Sequence, residues 1–154
     1  MQSSDSKIFR LSISAERSSI AAASSWLQDI CSGCDVSHDE INRLDICLNE
    51  VLANIVSHGG VGATERPIEL KLTLHDKDGF RIVELKLTDA GLAFDPTSNA
   101  PQPSATSLTN AQPGGLGVVM LRANADKLDY QYVEGLNNLT IAVMRSSKAV
   151  HDPR

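Results

Sequence analysis

The sequence predicts an α/β two-layer sandwich, a mixed and largely antiparallel sheet with its helices packed on one face, and three features predict it. Two segments, 68–87 and 128–143, each read as a pair of strands joined by a polar turn. Two long helical patterns, 15–30 and 39–57, follow one another with no strand between them. The resulting order β-α-α-β-β-loop-α-β-β departs from strict strand–helix alternation and leaves the helices on a single side of the sheet. The 154 residues suffice for one core and not for two, so a single domain is expected over 1–154.

Each element has a local cause. Ile8 to Ile13 alternates, with Phe9, Leu11 and Ile13 on one face, as a half-buried strand does. Ser14 is placed to cap a first helix in which Ile20, Ala23, Trp26, Leu27 and Ile30 recur at helical spacing. After a loop from Cys31 to His38, Ile41, Leu44, Leu48, Val51, Leu52 and Ile55 form the apolar stripe of a second helix, which Gly59 and Gly60 end. Ile68, Leu70, Leu72 and Leu74 alternate with polar residues, His75 to Gly79 interrupts, and Val83, Leu85 and Leu87 alternate again. Residues 96–113 carry Ser, Thr, Asn, Gln and Pro with neither charge nor apolar period, which predicts a mobile loop. A short helix follows from Leu116 to about Asp126, then a second hairpin, Leu128 to Val133 and Leu139 to Val143, turning through 134–138. Residues 147–154 read as a frayed tail.

Composition removes several classes of function. A net charge of −5 offers no basic surface for phosphate backbones, so nucleic acid is not an expected partner. The polar first ten residues lack a signal-peptide core and no stretch is apolar enough to span a bilayer, so a cytoplasmic protein without a membrane partner is expected. Cys31 and Cys34 form a lone CxxC between a helix and an acidic loop, and with Cys47 they complete neither a disulfide framework nor a zinc site.

Chemistry concentrates in three places. Glu50, Asn54 and His58 are spaced four apart on the second helix and therefore share one flank, each about 40° further round than the last. A carboxylate there can accept a proton and an amide can offer an oxygen to a hard cation. For His58 an ordinary polar helix end is an equal alternative. At the end of the strand closing on Thr88, Asp89-Ala90-Gly91 supplies an acceptor for an exocyclic amine beside a residue that permits close approach of a flat base. Gly114-Gly115-Leu116-Gly117 leads into a helix whose exposed N–H groups suit a phosphate chain.

Taken in order, Glu50-Val51-Leu52-Ala53-Asn54, Asp89-Ala90-Gly91 with Phe94-Asp95-Pro96, and Gly114-Gly115-Leu116-Gly117 resemble the N, G1 and G2 boxes of the GHKL ATPase and kinase superfamily. The phrase from Leu48 to Gly59 is most similar to the stand-alone anti-sigma factor serine/threonine kinases of that superfamily. The resemblance implies that Asn54 holds Mg²⁺, that Asp89 receives the adenine amine and Gly91 lets the base in, and that Gly114, Gly115 and Gly117 wrap the phosphates of ATP. It also implies contacts to the nucleotide from Phe94, Leu116 and Thr140, makes Glu50 the residue that orients or deprotonates the attacking hydroxyl, and makes 96–113 a flexible ATP lid. Two positions depart from the family pattern: Ala93 stands where a second glycine is common, and Asn137-Asn138 where a Gly-Thr pair is common at the final hairpin.

The function so implied is transfer of the γ-phosphoryl group of ATP to a Ser or Thr of a STAS-domain anti-sigma antagonist, with a sigma factor as alternate partner and a homodimer as the assembly. The absence of Lys and Arg from Pro96 to Leu121 keeps a second reading open, a module that binds nucleotide and sequesters a partner without transferring phosphate.

Overall fold

The computed structural model describes residues 6–97 and 115–146. Nine elements follow in order: β1 (Lys7–Ile13), α1 (Arg17–Ser32), α2 (His38–His58), α3 (Gly60–Glu65), β2 (Ile68–Lys77), β3 (Phe80–Asp89), α4 (Gly115–Asn124), β4 (Lys127–Val133) and β5 (Leu136–Ser146). The five strands form one sheet in the order β1-β2-β3-β5-β4, and every pairing is antiparallel. The predicted two-layer architecture is therefore present, and the sheet of the described residues has no parallel member.

Strand alternation builds the interface between the layers. Leu72, Leu85 and Ile141 are cross-strand neighbours on β2, β3 and β5 and are fully buried. Leu70, Leu87 and Leu139 form the adjoining row. Against them lie Ala23, Leu27 and Cys31 of α1 and Leu44, Leu48, Leu52 and Ile55 of α2, in one continuous core. Intervening residues such as Glu69, Lys71 and Lys86 face away from it and are exposed or half-buried.

The second helix is fastened over its first two turns. Ser37 and Glu40 make a capping box, the Glu40 N–H donating to Ser37 Oγ at 3.1 Å and the Ser37 N–H to Glu40 Oε1 at 3.1 Å. Glu40 is 2% exposed and its carboxylate also faces Arg145 Nε at 3.3 Å, which ties the helix start to β5. Arg43 donates to the Asn124 carbonyl at 2.9 Å and reaches Asp126 at 3.3 Å, so the same helix holds the C-terminal end of α4.

Local structure departs from expectation at Ser14 and in the two hairpin turns, and it adds one short helix. Ser14 does not cap α1: the N-cap is Glu16, without a side-chain cap, and Ser14 Oγ instead meets Ser19 Oγ at 3.2 Å. Gly59 and Gly60 do end α2, and Gly60, with φ of +76°, turns the chain into a further helix, α3, which the sequence reading lacked because six residues are too few to show a period. The interruption predicted at 75–79 is shorter, because β2 continues to Lys77 and a two-residue turn, Asp78 (φ +53°) and Gly79 (φ +82°), starts β3. The turn predicted at 134–138 likewise contracts to Glu134 (φ +53°) and Gly135 (φ +80°), which puts Asn137 and Asn138 inside β5. Polar residues in all these strand ends mimic loop composition while keeping ladder hydrogen bonds.

No helix among the described residues is long and apolar enough to cross a membrane. Of the segment 96–113, expected to be an ATP lid, residues 98–113 lie outside the described residues, as does the expected tail 147–154.

Candidate functional site

A cavity of about 190 Å³ opens at the end of the sheet where β3 stops and β5 begins. Its helical wall is Val51, Asn54, Ile55 and His58 of α2, and its floor is Leu139 with Asn137 and Tyr130. Leu121 of α4 and the loop Leu92-Ala93-Phe94 with Pro96 complete it, and Asp89 stands at the strand end. Walls that are mostly apolar, with a few convergent polar groups, suit a flat ring whose edge is read by hydrogen bonds.

Asp89 is 7% exposed. Its Oδ1 accepts from the Gly91 N–H at 2.8 Å and from Asn137 Nδ2 at 3.1 Å. Among the described residues no hydrogen bond engages its Oδ2, so that oxygen remains for a ligand. Burial pushes the carboxyl above the ordinary aspartate value, and the two N–H donors oppose the rise.

The loop after Asp89 is set by glycines at close contact. A Cβ at Gly91 would stand 3.0 Å from the Gly59 Cα and 3.0 Å from the Gly59 carbonyl oxygen, and the Leu92 N–H donates to that oxygen at 2.9 Å. Gly91 thus lets the loop lie on the C-terminal end of α2, and it is absent from the cavity wall, where it was expected to admit the base. A Cβ at Gly62 would lie 2.5 Å from the Ala90 carbonyl oxygen, so α3 braces the same loop from outside.

The expected residues divide as follows. Asn54, Asp89 and Phe94 meet at the cavity, and His58, half of an open alternative at the sequence level, lines it while remaining exposed. Glu50 is half-buried one turn before Asn54 on α2, outside the cavity wall. Thr140 is a correction: β5 alternates, so Asn137, Leu139 and Ile141 are its inward row, and Thr140 pairs with Lys86 and Asp129 on the opposite face of the sheet. Gly115, Leu116 and Gly117 form the first turn of α4, while Gly114 lies outside the described residues.

Two residues were missed by the sequence reading. Tyr130 continues the inward row of β4 begun by Leu128, a signal present in the alternation. Asn137 is 6% exposed and bonds throughout the Asp89 loop; it was read as turn residue because Asn favours turns.

The cysteines form no second site. All three are free, and burial raises the thiols of Cys31 and Cys47 to about 12, which keeps them protonated and unreactive. Among the described residues no group of three or more His, Cys, Asp or Glu could hold a metal ion. A magnesium ion here would take Asn54 as protein ligand and complete its shell with phosphate oxygens and water, as this cation prefers.

Comparison with known proteins bears on the family and the fold. The family model for the histidine kinase-like ATPase domain matches residues 13–143. The serine/threonine-protein kinase BtrW of Bordetella bronchiseptica is 36% identical over 136 residues, which cover 88% of this chain and 93% of that protein. The structure of the RsbU and RsbW domains of Rv1364c from Mycobacterium tuberculosis aligns over 92% of this chain with a TM-score of 0.64 and 15% identity. The chain spans 34% of the length of that polypeptide. The SiaB–SiaC complex from Pseudomonas aeruginosa aligns over 89% of both chains with a TM-score of 0.50 and 13% identity. At such identities the two structures speak for a shared fold alone.

Proposed function

The chain belongs to the histidine kinase-like ATPase domain family, and from that premise we propose that it is an ATP-dependent serine/threonine protein kinase of a cytoplasmic partner-switching pathway, acting on a STAS-domain antagonist. The observation that carries the proposal is the meeting of Asp89, whose Oδ2 no hydrogen bond engages among the described residues, and the Asn54 amide on one largely apolar cavity. Likeness to a serine/threonine kinase along 88% of the chain supports transfer to a protein hydroxyl. A protein partner is part of this proposal, in keeping with the SiaB–SiaC structure of the same fold being a complex of two proteins.

In this reading Asp89 accepts a hydrogen bond from the adenine amine, Phe94 and Leu139 flank the base, and Asn54 would hold Mg²⁺. Bound there, the ion would supply charge neutralisation on the triphosphate. The hydroxyl oxygen of the partner's Ser or Thr attacks the γ-phosphorus, the bond to the bridging β–γ oxygen breaks, and ADP leaves with that electron pair. Glu50, one turn from Asn54, takes the hydroxyl proton or orients the hydroxyl. Such transfer depends on positioning and charge neutralisation, which a carboxylate, an amide and backbone donors can supply.

The test is incubation of the protein with γ-labelled ATP, Mg²⁺ and STAS proteins encoded nearby, with Glu50→Ala alongside. Label on the partner that vanishes in the variant supports the kinase. Tight ATP binding without label supports the sequestering reading instead, which the lack of Lys and Arg in 96–121 favours. No binding of ATP or ADP in the presence of Mg²⁺ overturns both.

A further inference from the structure

Asn137 does more than fill a strand position. The two N–H groups of its Nδ2 are shared among three acceptors, Asp89 Oδ1 at 3.1 Å, the Gly91 carbonyl at 3.2 Å and the Leu92 carbonyl at 3.0 Å. Its Oδ1 accepts the Phe94 N–H at 3.2 Å and the Tyr130 hydroxyl. The carbonyls can only accept and the Phe94 N–H can only donate, so the amide has a single allowed orientation. Asp89 Oδ1, already holding the Gly91 N–H, therefore also faces a donor that cannot turn away. With Oδ1 held on that side, Oδ2 is left as the acceptor that Asp89 can offer at the cavity it lines.

We propose that Asn137, held by Tyr130, is the positioning residue for base selection: it commits Asp89 to accept, so that the site takes a 6-amino purine and refuses a 6-oxo purine. The inference rests on the nucleotide-kinase reading and deepens it. An exocyclic amine gives Oδ2 a hydrogen bond, whereas a 6-oxo group places two acceptors face to face in a buried site and leaves both unpaired. With the amide removed, Asp89 loses one of its two donors, can turn within the loop, and can carry a proton toward the ligand, so the refusal weakens. Tyr130 acts one step behind. Without its hydroxyl the amide keeps only the Phe94 N–H on its oxygen, and its orientation is less firmly set.

The experiment is titration calorimetry of the full chain with Mg²⁺-ATP and Mg²⁺-inosine triphosphate, which differ in the 6-amino against 6-oxo group. Wild type, Asn137→Leu and Tyr130→Phe are compared through the ratio of the two dissociation constants. Wild type is expected to favour ATP, with the preference reduced about tenfold in Asn137→Leu, as loss of one hydrogen bond to a charged group implies, and by a smaller factor in Tyr130→Phe. A purely structural role for Asn137 would weaken both ligands in parallel, and an unchanged ratio overturns the proposal. If Asn137→Leu does not fold, Tyr130→Phe decides, because it keeps the ring and the amide; an unchanged ratio in it is then decisive against. Equal affinity of the wild type for both triphosphates defeats base selection while leaving the nucleotide site standing. Binding of neither defeats the functional reading as well.

Discussion

Replacing Gly59 by alanine separates two effects that oppose each other. Gly59 has φ of −73° and ψ of −14°, an ordinary right-handed conformation, so backbone strain gives alanine no disadvantage. Removing a glycine should even stabilise the fold by about 0.5–1 kcal/mol through the unfolded chain. The added Cβ, however, would stand 2.5 Å from the Ile55 carbonyl oxygen and 2.7 Å from the Ala63 Cβ. Neither neighbour is a flexible side-chain end, so α2 and α3 must part, at a cost of about 1–3 kcal/mol for overpacking. Net destabilisation of roughly 1–2 kcal/mol follows, and a chain of this size then melts about 2–8 °C lower. Gly33→Ala is the matched control: it too is a helix C-cap with φ of −82°, but its Cβ would find nothing nearer than 3.6 Å. That variant should be neutral or slightly more stable. Thermal unfolding by circular dichroism measures both, and nucleotide titration should show weaker binding for Gly59→Ala alone, because the displaced carbonyl anchors the Leu92 N–H. Equal melting temperatures for the two variants would refute the close-contact argument.

Asp89→Asn should abolish ATP binding yet stabilise the protein near neutral pH. Burial raises the folded-state pKa of this acid, so the native state binds more protons than the unfolded chain between the ordinary aspartate value and the raised one, and stability falls as pH climbs through that window. The variant lacks this loss, and its advantage in melting temperature over wild type should grow from acid toward neutral pH; a constant difference would count against it. Leu85→Ala, at a fully buried position in the middle of the sheet, should cost about 2–5 kcal/mol in urea unfolding, against an expectation near zero if that row were loosely packed. Ser37→Ala removes one half of the capping box of α2 and should cost about 1 kcal/mol, read as a shift in urea midpoint at unchanged slope.

The polar part of the site explains why it was only partly legible. Asn54 and Asp89 were recognisable because helix spacing and a strand end place them without reference to anything distant. Asn137 was overlooked because a polar strand start with two Asn residues carries the composition of a turn. Thr140 was misplaced for a different reason: it was named from the family resemblance alone, while the alternation of Leu139 and Ile141 puts it on the opposite face wherever β5 begins. Gly91 shows the complementary case: its need was visible, its cause was not, because the backbone it touches belongs to Gly59.

What the chain determines by itself is whatever repeats within a few residues: the period of each helix and strand, the capping box at Ser37 and Glu40, and the flank shared by Glu50, Asn54 and His58. Strand order, the seating of the Asp89 loop on the end of α2, and the amide that turns one carboxylate oxygen toward the cavity were decided only by tertiary structure. Asn137 meets Asp89 across 48 residues and Phe94 across 43. Contacts of that span leave no local period, and they form only once antiparallel pairing of β3 and β5 has brought a strand's end beside another's beginning.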